Sequence, residues 1–138
     1  MARPTQAHLE RTINRKDPIE DRQKTLNQMQ YYMGAKLVEV RVDPQKVMYR
    51  WSVKDDGDLQ TFTLSAFWGD SQKKLLSGEN PLKGEELANC AKANASAGVE
   101  QAAKLSGYAA DIDRFRTVLK ETINEFGLPE ESFQKLLT

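Results

Sequence analysis

The sequence predicts an α+β domain: an N-terminal helix leads into a three-stranded antiparallel β-meander, and a C-terminal helical layer packs on one sheet face. Three observations carry this expectation. Apolar residues recur at helical spacing over 18–33, three successive runs over 37–68 alternate with period two, and the chain after Trp68 returns to helical spacing. One-sided strands flanked in sequence by amphipathic helices bury their apolar face most simply under those helices.

Residues 1–17 read as a polar N-terminal arm or short helix, with only Leu9 and Ile13 spaced as one helical face. Asp17-Pro18-Ile19-Glu20 is a helix start: an N-cap acceptor, a proline at the first helical position and a glutamate at N3. Ile19, Leu26, Met29, Tyr32 and Met33 continue the helical period, and Gly34 is a stop signal. The period then becomes two. Val38, Val40 and Val42 alternate with Leu37, Glu39 and Arg41, and Val47, Tyr49, Trp51 and Val53 alternate with Met48, Arg50, Ser52 and Lys54. Phe62, Leu64, Ala66 and Trp68 alternate with Thr61, Thr63, Ser65 and Phe67. Each run has one apolar and one mostly polar face, as in a sheet buried on one side. Asp43-Pro44-Gln45 and Asp55-Asp56-Gly57-Asp58 supply turn chemistry between the runs.

Gly69-Asp70 ends the sheet, and a short helix is expected over 71–77 before the loop Ser77-Gly78-Glu79-Asn80-Pro81. A long helix follows over about 84–106, with Ala97-Gly98 the place where it would break. Its inner stripe, Leu87, Ala91, Asn94, Gly98, Ala102 and Leu105, is mostly small and would let another backbone come close. Asp111 caps a helix with Ile112, Phe115, Leu119, Ile123 and Phe126 on one face and Gly127 at its end. Pro129 opens a last short helix with Phe133, Leu136 and Leu137. With no linker, repeat or low-complexity tract, residues 18–138 are expected to form a single domain.

Twenty basic and twenty acidic residues among 138 cancel, so no global field draws the chain to nucleic acid or anionic lipid. Hydrophobic residues at 39% and charged residues at 29% describe a soluble chain able to build a core. One cysteine, Cys90, excludes an intramolecular disulfide, and no run approaches the roughly 18 apolar residues of a membrane span. A cytoplasmic location without a membrane partner is the expectation.

Several chemistries find no residues to carry them. His8 is the single histidine, so constellations needing a second one are excluded, and one cysteine builds neither a thiolate metal site nor a redox pair. His8 reads as an exposed side chain and Cys90 as a small buried hydrophobe. The Asp55–Asp58 cluster resembles a calcium loop fragment, but Ala66 stands where the closing bidentate glutamate belongs. Glu85-Glu86, Asp111, Asp113 and Glu130-Glu131 sit in first helical turns, where the helix dipole favours them. Glycine-rich phosphate loops are missing. No enzyme, metal or cofactor is therefore expected.

Binding functions remain. On the sheet, Tyr49, Trp51, Phe62, Leu64 and Trp68 are expected in the core. The other face would present Arg41, Met48, Arg50, Lys54, Thr61, Thr63 and Phe67, a candidate binding surface in which Phe67 is the one stacking aromatic. The leading expectation is a small non-catalytic binding or regulatory protein acting through protein–protein contact. Its support is the polar arm, the possible self-packing of the alanine-rich helix in a homodimer, and Tyr31, Phe67 and Phe133 outside the main core stripes. One alternative is nucleic-acid binding through that sheet face and a basic arm of Arg3, Arg11, Arg15 and Lys16. A second is a small-molecule pocket between the aromatic sheet face and the alanine-rich helix.

Overall fold

A computed structural model of the chain describes residues 3–138, which form a first compact unit up to Gln72 and a second over Lys73–Thr138. The class is α+β, with a three-stranded antiparallel sheet on which the first helix packs.

The strands are β1 (Gln6–Asn14), β2 (Met48–Asp56) and β3 (Leu59–Phe67), with α1 (Ile19–Glu39) between the first two. The spatial order is β1-β3-β2, and β3 runs antiparallel to both neighbours. It is therefore not a meander. β1 and β2 lie parallel, joined through α1, and β3 fills the gap between them as in a split β-α-β unit.

Two expectations are corrected here, and one ambiguity explains both. The arm is strand β1: a spacing of four, as between Leu9 and Ile13, satisfies period two as well as a helical face. Conversely, residues 37–39 belong to α1 rather than to a first strand. Leu37 is four residues beyond Met33 and eight beyond Met29, so it extends the buried stripe as readily as it starts an alternation. Gly34 is absorbed inside the helix, which begins one residue after the Pro18 cap; no side chain caps it, so Asp17 does not serve as predicted.

The real end of α1 is a Schellman motif. The Val42 amide donates to Leu37 O (2.8 Å) and the Arg41 amide to Val38 O (2.9 Å). Arg41 stands at the left-handed position, φ +63°, where glycine is the unstrained residue. Asp43 Oδ1 then accepts from the Gln45 amide and starts a 3-10 turn, Pro44–Lys46, that delivers the chain to β2. The β2–β3 hairpin turns through Gly57-Asp58, with Gly57 at φ +60° as a type II′ turn requires.

Alternation along this register puts Ala7 and Leu9, Phe62, Leu64 and Ala66, and Trp51 and Val53 on one face. Met29, Met33 and Leu37 of α1 pack there, with Leu26, Val42, Val47 and Trp68 around them. Burying each of the three α1 side chains contributes about 2 kcal/mol.

The boundary between the units falls within α2 (Gly69–Ser77). The second unit contains α3 (Gly84–Ala93), α4 (Val99–Leu105), α5 (Ile112–Phe126) and α6 (Gln134–Leu137). The predicted long helix breaks where Gly98 takes φ +97°. Leu87, Ala88, Ala91, Ala102 and Ala103 meet Tyr108, Phe115, Leu119, Ile123, Phe133 and Leu136 in one core. Leu87, Ala91, Ala102 and Leu105 of the predicted stripe are buried within this unit, where small residues let α3 and α4 approach closely. Asp111 caps α5 by accepting from the Arg114 amide, and Gly127 ends it at φ +62°.

Candidate functional site

The sheet face opposite α1 gathers six of the seven residues expected to share a surface. Met48, Arg50 and Lys54 of β2 register beside Phe67, Ser65 and Thr61 of β3, with Thr63 between. Arg41 is not among them, since it belongs to the end of α1. β1 adds three residues that the sequence reading did not place here: His8, Glu10 and Thr12, opposite Ser65, Thr63 and Thr61. Their signal is the alternation of Ala7, Leu9 and Ile13, which Arg11 interrupts.

Arg50 and Phe67 are committed to one another. The guanidinium lies 4.7 Å from the ring centroid, and Phe67 is only 6% exposed. A ring so enclosed has no free face on which to stack a base. His8 meets the same ring edge-on at 6.0 Å.

His8 is exposed, as expected, and both ring nitrogens have partners. Its Nε2 lies 3.3 Å from Gln6 Oε1 and its Nδ1 2.7 Å from Ser65 Oγ. With Nε2–H donating to the amide oxygen, Nδ1 is the bare nitrogen and the Ser65 hydroxyl donates to it. Partial burial lowers the imidazole pKa from its ordinary value, and the positive charges of Arg50 and Lys36 add to the effect. The distance matches a nucleophile and its base. However, Ser65 is 4% exposed and an amide stands where an orienting carboxylate would be, so the pair pins β1 to β3. Thr12 and Thr61 do the same at 3.0 Å.

The basic arm disperses. Arg15 pairs with Asp55 and Lys16 with Asp58 at 3.2 Å, so the acidic hairpin neutralises the end of β1. Arg11 donates to Glu10 O. Arg3 lies by the end of α1, near Arg41 and Trp68.

Exposed apolar groups concentrate elsewhere, on the outer side of α1. Tyr31 is 73% exposed and Val38 63%, one helical face seven residues apart with Ala35 between them. Tyr32, half exposed, meets Tyr31 edge-on at 5.7 Å. Of the three aromatics expected outside the core, Tyr31 alone is exposed; Phe67 and Phe133 are buried.

Cys90 is fully buried, and its sulfur accepts from the Ser106 hydroxyl at 3.4 Å. Among the described residues no three His, Cys, Asp or Glu side chains gather as around a metal ion. None of the described helices is long and apolar enough to cross a membrane. Comparison with protein-family models, with curated proteins and with solved structures found no match to this chain.

Proposed function

We propose that this chain is a non-catalytic binding protein that acts through protein–protein contact, with the outer face of α1 as its docking surface. The observation carrying this reading is the exposed Tyr31–Ala35–Val38 stripe with Tyr32 beside it. Tyrosines contribute much of the affinity in interfaces because they bury a large apolar body while keeping a polar tip. A helix that holds its position through Met29, Met33 and Leu37 presents this stripe on a rigid element, so little ordering entropy opposes docking.

Nucleic-acid binding has less behind it. Its stacking ring is buried, and two of its four arm cations are already paired. If nucleic acid were nonetheless the partner, affinity would fall steeply with salt and charge reversal at Lys54 would weaken it.

The test is capture of tagged protein with its partners from nuclease-treated native lysate, comparing the wild type with Tyr31→Lys/Val38→Glu. A protein set retained by the wild type and lost by the variant supports the reading. Identical sets contradict it, and a set that vanishes with nuclease transfers the function to nucleic acid. Sedimentation of the purified protein over a concentration series identifies a second copy as the partner.

A further inference from the structure

We infer that a groove at one end of the sheet binds a small anionic ligand with an aromatic or apolar body, such as an aryl phosphate or aryl carboxylate. The groove has a volume of about 440 Å³. Arg3 and Thr5 line it from the segment before β1, Glu39 and Arg41 from the end of α1, and Trp68 from the end of β3. The Trp68 amide donates to Thr5 O at 3.0 Å, which ties two of these walls together.

Two features point to an anion. Among the described residues, neither the Arg3 nor the Arg41 guanidinium forms an ion pair or side-chain hydrogen bond, although both line one concavity with a single carboxylate. Two unneutralised like charges repel, and a bound anion would relieve that repulsion with charge-assisted hydrogen bonds. Neither cation is needed to finish α1, because the Arg41 and Val42 amides already take its last carbonyls. Two full positive charges also outweigh the Glu39 carboxylate together with the half-charge of a helix C-terminus. The second feature is the Arg41 backbone. At φ +63° glycine would be relaxed, so arginine is held there against a local conformational preference. The aromatic part follows from Trp68, whose indole offers a planar apolar wall beside Val40 and Val42.

The test titrates phenyl phosphate into the full chain, following the Trp68 indole N–H by NMR with Trp68→Phe to assign it. Saturable binding is expected with Kd on the order of 1 mM, normal for so small a ligand. Arg3→Gln and Arg41→Gly should each weaken it by about tenfold or more. Arg41→Gly should also unfold at higher temperature, so lost binding is not lost folding. Glu39→Gln should tighten binding a few-fold, and phenol and inorganic phosphate should each bind about tenfold more weakly than phenyl phosphate. An absence of saturation, phenol binding as tightly, or unchanged affinity in Arg41→Gly overturns the inference. A single-stranded oligonucleotide that shifts the Trp68 resonance at far lower concentration also overturns it, in favour of nucleic acid.

Discussion

The two units differ in where their chemistry goes. In the second, nearly every distinctive residue is spent internally. Asp111 caps, Gly127 ends a helix, Ser106 and Asn94 hydrogen-bond to Cys90, and the alanines admit close helix approach. In the first, α1 starts on an uncapped proline and ends on a left-handed arginine, and it holds tyrosines and valines in solvent. Local rules broken without an internal gain are where function is expected. The difference fits the proposed function, in which recognition falls to the first unit.

Substitutions test this contrast. The largest effect is expected from Phe115→Ala, which empties a fully buried site beside Tyr108, 5.6 Å away ring to ring; urea unfolding should show a loss of about 4 kcal/mol. A loss below about 1 kcal/mol would mean that the second unit is loosely packed. Gly107→Ala comes next, at about 2–3 kcal/mol. Its φ is +89° and a Cβ would stand 2.9 Å from the Pro81 Cα, where backbone has little room to yield. In the first unit Arg41→Gly should move the other way, stabilising by about 1 kcal/mol as left-handed strain is removed. An unstable Arg41→Gly would show the arginine to be structural and would blur the contrast.

Smaller still is the titration of His8. Its folded pKa lies below the unfolded value of 6.5, so the unfolded chain binds more protons as pH falls. Stability should be complete above pH 6.5 and decline as pH drops from there toward the folded pKa, then level off. His8→Gln should remove that slope in thermal melts across the acid range. A slope that persists would show that His8 is not its source.

Legibility in the sequence follows the same divide. The helices of the second unit were readable because capping, stop glycine and apolar stripe agree, as Asp111, Gly127 and Phe115–Leu119–Ile123 do. So was the β2–β3 hairpin, where Gly57 and strict alternation coincide. The first unit misled because its signals conflict. Leu9 and Ile13 suit both periods, Gly34 sits inside a helix, and Val38, Val40 and Val42 mimic a strand while two of them remain in solvent. Tertiary contact settled each conflict: Leu37 under the sheet extends α1, and pairing with β3 makes a strand of residues 6–14. For the candidate surface, alternation correctly grouped Met48, Arg50, Lys54, Thr61, Thr63 and Phe67. It could not reveal that the Arg50 guanidinium would lie over a buried Phe67 ring, nor that His8 would come opposite Ser65 from 57 residues away.

Both the proposed docking stripe and the proposed anion groove depend on α1 running unbroken to Glu39, which Gly34→Ala probes. In the helix interior, with nothing beyond the adjoining helix backbone within 4 Å of the new Cβ, alanine should stabilise the protein by about 1 kcal/mol in urea unfolding. A comparable destabilisation would place Gly34 at a left-handed helix end, return residues 37–42 to a strand, and remove the surface on which the proposed function stands.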